Sequence, residues 1–216
     1  MYYHNMAIPR IKKYLGDVKI LMILRNPVDR AFSSYCHFVT MNLPGQSSFE
    51  DELKKEDNRR SNGWDFMWFH TGLGFYYEQV KAYMENFSQV KVYLFDDLIN
   101  NPASMIRSIY EYLDVDSSLI PVFEKHNISG VPRSKLMQTF IFRENFIRAA
   151  LRPFVKMVLS KEKRDELRLR LVKMNLQETM KMKSETREYL KSQYRADILK
   201  LQRLIKRDMT SWLENQ

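Results

Sequence analysis

With 216 residues the chain has room for one domain and a substantial core. Its 35 lysines and arginines against 26 acids leave a formal net charge of +9, which suits anionic partners such as nucleotides, sulfated glycans, nucleic acid or lipid headgroups and selects none of them. A single cysteine, Cys36, excludes an internal disulfide, and neither a run of about eighteen apolar residues nor a signal-peptide pattern is present, so a soluble chain in a reducing, cytoplasmic setting is expected.

The first predicted element is a short helix over residues 8–14, with Ile8, Ile11 and Tyr14 inward and Gly16 as its C-terminal cap. A strand over 18–24 follows. Its run Ile20-Leu-Met-Ile-Leu24 is too short for an independent helix and suits a strand covered on both faces. Asn26 is placed to cap the next helix, predicted over 28–40, and Pro27 suits its first position, where a missing N–H costs nothing. Cys36 falls inside the apolar pattern of that helix and reads as a packed thiol. Arg25 lies at the junction, where the unpaired N–H groups and positive dipole end of the helix face the strand tip. Its fork of donors fits a phosphate, and Ser33 offers a hydroxyl two turns into the helix. An anion site is one reading; a surface salt bridge from Arg25 is the other.

Residues 42–62 are polar, with Pro44, Gly45 and a Ser47-Ser-Phe-Glu50 box that starts a short helix through Lys55. The aromatic cluster Trp64, Phe66, Trp68 and Phe69, with His70, reads first as packing. An amphipathic helix over 75–86 and a second strand over 90–95 come next. Asp96 and Asp97 at the end of that strand have no His or Cys neighbour and make a poor metal signature. Asn101-Pro102 opens a helix with Met105, Ile109, Tyr112 and Leu113 on one face. Residues 125–135 read as irregular backbone ending in the donors Arg133, Ser134 and Lys135. Beyond Leu136 the chain is helix-forming, with breaks near Pro153 and around Asn175. Leu190, Tyr194, Ile198 and Leu201 recur at three- and four-residue steps as a core stripe. Residues 161–170, basic but interspersed with acids, read as a solvated face.

The pattern Leu24-Arg-Asn-Pro-x-x-Arg30-x-x-Ser33-x-Tyr35 resembles the 3′-phosphate-binding signature of sulfotransferases that use PAPS, 3′-phosphoadenosine 5′-phosphosulfate. Four further stretches are similar to that family in the right order. Gly72-Leu-Gly-Phe-Tyr-Tyr-Glu-Gln-Val-Lys81 resembles its G-x-Y-x-x-x-L/V-K helix, and Val90-Lys-Val-Tyr-Leu-Phe-Asp-Asp-Leu98 its V-x-x-x-x-Y/F-E-D-L strand. Asn127-Ile-Ser-Gly-Val-Pro-Arg-Ser-Lys135 is similar to its late nucleotide-closing loop, and Arg207-Asp-Met-Thr-Ser-Trp212 to its C-terminal ending.

The resemblance implies an α/β, P-loop-NTPase-like sulfotransferase fold: a parallel sheet with helices on both faces, truncated at the N-terminus, one domain over residues 1–216 and a helix-rich C-terminal third. It implies that Arg25 and Ser33 grip the 3′-phosphate, that Arg133 and Lys135 belong to a loop folding over the nucleotide, and that Phe95 lies near it where some relatives carry a tyrosine. It further implies sulfuryl transfer from PAPS to a hydroxyl or amine on a carbohydrate, lipid or small-alcohol acceptor, with adenosine 3′,5′-bisphosphate as product. No metal and no nucleic acid partner is expected. The family's 5′-phosphosulfate loop, P-x-x-G-T-T/S, has no counterpart among the six glycines. A truncated or alternatively started product is the expected explanation, natural loss of the loop the alternative. The usual loop lysine and glutamate base are then missing, and His4 is the upstream candidate for the catalytic base. Two other classes stand beside this one: a catalytically dead nucleotide- or glycan-binding relative, and a basic helical protein that binds nucleic acid.

Overall fold

The computed structural model describes residues 4–41, 43, 47–119, 121, 131–132, 134, 137, 160–177 and 181–214. The chain divides into two compact units. The first comprises Met1–Ala31, Leu53–Glu124 and Lys183–Gln216, the second Phe32–Glu52 and Lys125–Met182.

In the first unit, helix α1 spans His4–Leu15 and runs through Pro9. It is longer than the predicted 8–14 at its N-terminal end. Gly16, at φ 74°, closes it in the left-handed conformation, with its N–H donating to Lys12 O at 3.1 Å. Ile8 is buried as expected, but Tyr14 points to solvent, 74% exposed. Strand β1, Ile20–Leu24, pairs in parallel with β2, Val90–Leu94, in the register Ile20↔Val90 to Leu24↔Leu94. Among the described residues this sheet has two strands; along β1 Leu24 is buried, and Ile23, 47% exposed, is the one position open to solvent.

Helix α2, Pro27–Thr40, begins in this unit and continues into the second. Its start follows the predicted cap: Asn26 Oδ1 accepts the Val28 N–H at 3.0 Å and Asn26 O accepts the Arg30 N–H at 2.9 Å. Val28 and Ala31 are fully buried behind that turn. Helix α4, Glu56–Ser61, follows the short helix α3, Phe49–Lys54. The carboxylate of Glu56 accepts the N–H groups of Thr71 and Gly72 at 2.7 Å each, which ties α4 to the 3₁₀ turn Gly72–Gly74.

Helix α5, Tyr77–Asn86, starts two residues later than its amphipathic pattern suggests. A carboxylate from a distant helix, that of Asp197, takes up its first N–H groups. Strand β2 likewise stops at Leu94, and Phe95 opens helix α6, Phe95–Asn100. The local cause is Asp97, whose Oδ2 accepts the Leu94 N–H at 3.0 Å and so starts a helical turn where another strand residue was expected. Helix α7, Pro102–Leu113, is capped by Asn101 Oδ1 on the Ser104 N–H at 3.1 Å and ends on Asp114 at φ 58°.

The second unit holds the later part of α2, with Phe32, Tyr35 and Phe49 packed at ring separations of 5.1 to 6.1 Å. Tyr35 donates its hydroxyl to Ser47 O at 2.9 Å. The predicted capping box is displaced by one residue. Ser48 Oγ accepts the Asp51 N–H at 3.2 Å, while Ser47 Oγ donates to Glu52 Oε1 at 2.7 Å. Cys36 lies here, and burial pushes its thiol up to about 11, a protonated and unreactive state. Helix α8, Lys161–Asn175, ends at the predicted break. Strands β3, Val131–Pro132, and β4, Leu176–Gln177, pair antiparallel, so a part of the stretch expected to be irregular is a short ladder. Asn175 pins it. Its Oδ1 accepts the Ser134 N–H at 2.9 Å and its Nδ2 donates to Ser134 O at 3.0 Å.

Helix α9, Ser184–Ile205, returns to the first unit and contributes a stripe of buried apolar residues to its core. Leu190, Tyr194, Ile198 and Leu201 are fully buried, as their spacing predicts. Tyr194 packs so close to Gly74 that a Cβ there would lie 2.7 Å from its ring. The chain then turns at Lys206, φ 52°, and seats Trp212 at 2% exposure. No helix is long and apolar enough to cross a membrane among the described residues.

Candidate functional site

Arg25 is half-buried at the C-terminal end of β1, where the neighbouring parallel strand also ends. Its guanidinium carbon lies 5.2 Å from the centroid of the Phe95 ring. Register explains the meeting: Leu24 pairs with Leu94, so the next residue of each strand emerges at the same edge of the sheet. Among the described residues Arg25 pairs with no carboxylate, unlike Arg187, which holds Asp29 at 2.9 Å, and Arg207, which holds Asp97. The surface salt-bridge reading therefore finds no partner there. A cation resting on an aromatic ring keeps its N–H donors available around the rim for an anion.

The backbone of Arg25 is held from two sides. Asn26 caps α2 immediately after it, and the Tyr76 hydroxyl donates to Arg25 O at 2.9 Å. Tyr76 is buried, and that burial pushes its hydroxyl up to about 12 against the opposing pull of Arg30 and Arg25, so it remains a donor. Arg30, one turn into α2, donates Nη2 to His70 O, and its Nε is buried without a partner among the described residues.

The acidic pair beyond β2 is occupied by structural work. Asp96 Oδ2 accepts the Trp212 indole N–H at 2.6 Å. Asp97 accepts two hydrogen bonds from Arg207, at 2.8 and 3.2 Å, besides the Leu94 N–H. Burial alone would raise the Asp97 carboxyl, but the Arg207 guanidinium and the Leu94 amide outweigh it and hold the group below the usual aspartate range. The resemblance of 207–212 to a family ending thus has a physical counterpart: that segment is bound to the strand tip. Among the described residues no group of His, Cys, Asp or Glu could hold a metal ion.

Of the sequence-predicted site residues, the structure brings Arg25 and Phe95 together. Ser33 stands on α2 within the second unit, half-buried. His4 is in the first turn of α1, its Nδ1 buried without a hydrogen-bond partner among the described residues, and it neither hydrogen-bonds to nor stacks on Arg25 or Phe95. Arg133 and Lys135 lie outside the described residues. Sequence reasoning does not find Tyr76 and Asp197. A tyrosine before an amphipathic helix and an aspartate on the polar side of another carry no local mark of their target.

No curated protein matches the chain. Among solved structures it is similar to a sulfotransferase from Alicyclobacillus acidocaldarius, with 26% sequence identity and a TM-score of 0.67 over 96% of this chain and 62% of that one. The chain thus spans under two thirds of that protein's length. The parallel β1–β2 pair flanked by helices agrees with the α/β sulfotransferase fold of this relative. The profile of the sulfotransferase family matches residues 1–118, more than half of the chain and the whole stretch from α1 through α7, and on that match the chain belongs to the sulfotransferase family.

Proposed function

We propose that the chain recognises the adenosine 3′,5′-bisphosphate moiety of PAPS and takes part in sulfuryl transfer to a hydroxyl or amine acceptor. The observation that carries this reading is Arg25: a guanidinium without a carboxylate partner among the described residues, at the tip of a parallel strand, resting on Phe95 beside the start of a capped helix. Arg25 supplies charge and directed donors to the 3′-phosphate. Ser33 is its partner by the motif, and Phe95 offers a ring face near the adenosine. Arg133 and Lys135 are proposed as further phosphate contacts. In the reaction the bond between sulfur and the bridging oxygen of the 5′-phosphosulfate breaks as the acceptor oxygen or nitrogen bonds to sulfur, and a base takes the acceptor proton. His4 is the candidate base. Carbohydrate, lipid and small-alcohol acceptors all fit this chemistry.

Calorimetric titration of the full chain with adenosine 3′,5′-bisphosphate tests the reading. Micromolar binding that disappears in Arg25→Ala supports it, and no binding by the unaltered chain sinks it. Transfer of radiolabelled sulfate from PAPS to a panel of acceptors then separates an enzyme from a relative that binds without reacting.

A further inference from the structure

Arg25 is connected to the last long helix by a chain of hydrogen bonds that crosses three segments far apart in sequence. The carboxylate of Asp197, on α9, accepts the Tyr76 N–H at 2.8 Å and the Tyr77 N–H at 3.2 Å. These are N–H groups at the start of α5, which have no carbonyl partner within their own helix. A side-chain carboxylate at a helix N-terminus usually comes from the local sequence; here it comes from 121 residues downstream. The residue so capped is also the one whose hydroxyl donates to Arg25 O at 2.9 Å.

The same helix secures the neighbourhood by two other contacts. Arg187 pairs with Asp29 on the first turn of α2, and the Tyr194 hydroxyl donates to Thr71 O at 2.9 Å. Neither of these bonds engages Arg25 or Tyr76. The Asp197 contact differs because it fixes the backbone of Tyr76, and the phenol then sets where the end of β1 lies.

From this chain of contacts we infer that Asp197 and Tyr76 are positioning residues for Arg25, so that α9 governs how the guanidinium is presented to an anion. The anion's identity rests on the proposed function; the positioning does not. Two hydrogen bonds to one carboxylate form a charge-assisted cap, and its loss frees the first turn of α5 to rotate. Tyr76 would then lose its bond to the Arg25 carbonyl. With the backbone released, the guanidinium is no longer confined to the Phe95 ring. Glu78 and Lys200 also face Asp197 and act in opposite senses on its charge, while Arg30 and Arg25 face the Tyr76 hydroxyl.

The test reads Arg25 directly and needs no nucleotide. In the full chain labelled with ¹⁵N-arginine, the Arg25 Nε–H signal is identified by its absence in Arg25→Lys, and Phe95→Leu shows how far ring contact displaces it. Tyr76→Phe, which removes one oxygen, and Asp197→Asn are expected to move the signal toward its position in Phe95→Leu. Asp197→Glu, which keeps the carboxylate, restores part of the displacement. Tyr194→Phe removes a different α9 hydrogen bond and is expected to leave the Arg25 signal in place even if it lowers the melting temperature. An Arg25 signal unmoved in both folded Tyr76→Phe and Asp197→Asn overturns the inference, as does equal movement in Tyr194→Phe, which would make the effect one of general stability. Titration with adenosine 3′,5′-bisphosphate is a separate arm, in which Tyr76→Phe is expected to weaken binding about fivefold, the scale of one neutral hydrogen bond. Absence of binding in the unaltered chain would refute the nucleotide reading, while the Arg25 signal would still decide the positioning.

Discussion

Arg25 and Phe95 are the first residues beyond two paired strands, and their side chains meet with the guanidinium carbon 5.2 Å from the ring centroid. The contact follows from parallel pairing: Leu24 and Leu94 share a register position, so their successors share an edge. Phe95→Leu is expected to weaken adenosine 3′,5′-bisphosphate binding by about 0.5–1 kcal/mol, the scale of a partly exposed cation–π contact. Arg25→Lys is expected to lose more than Phe95→Leu, because an ammonium cannot reproduce the planar fork. Calorimetry on the two variants checks the order, and an Arg25→Lys chain that binds as well as the parent would contradict it.

Asp97 and Arg207 form an ion pair that answers to pH in a definite direction. The Asp97 carboxyl is held below its ordinary value, so the pair adds stability above the normal aspartate range, and that contribution is lost as pH falls through the lowered value. Arg207→Met is expected to cost about 1 kcal/mol or less near neutrality, since the Arg207 side chain is 43% exposed. The gap in melting temperature between parent and variant should narrow below about pH 4. A gap that stays constant across that range would show that packing, rather than charge, accounts for the loss.

Gly74 is under a steric requirement from Tyr194. Adding a Cβ would place it 2.7 Å from the ring, so Gly74→Ala is expected to destabilise the fold by about 1–3 kcal/mol, the usual cost of overpacking. Denaturant unfolding measures it. Tyr194→Leu in the same chain should recover part of the loss by removing the ring, and an additive double variant would refute the clash.

Ile198 sits in the fully buried stripe of α9. Ile198→Ala is expected to cost about 2–5 kcal/mol by leaving a cavity. Its neighbour Leu199 lies on a half-buried flank of the same helix, so Leu199→Ala is expected to cost less. Denaturant unfolding of the two variants compares them, and equal losses would mean that burial along the stripe does not set the cost.

Much of the site is legible from neighbouring residues. Asn26 and Pro27 announce the start of α2 because a cap acts within three residues, and the N–H of Val28 is bound as the pattern requires. Phe95 reads instead as the last residue of a strand, since a strand signal counts apolar residues and does not register Asp97 reaching back to the Leu94 N–H. The capping box slips from Ser47 to Ser48 for a similar reason. Both hydroxyls have an acid within reach, and packing of Phe49 with Phe32 and Tyr35 accompanies the choice of Ser48 as the cap.

The amino-acid order alone establishes the β1–α2 junction with Arg25 at its mouth, the buried stripe of α9 and the ordered motifs that point to the family. These depend on spacing, which the chain carries wherever it goes. That Arg25 rests on Phe95, that Asp197 caps α5, and that Asp96 and Asp97 hold Trp212 and Arg207 are settled by the packed chain. Partners as much as 121 residues apart are chosen by which faces pack together, because an aspartate or arginine presents the same charge to every candidate until the core brings one of them within hydrogen-bonding distance.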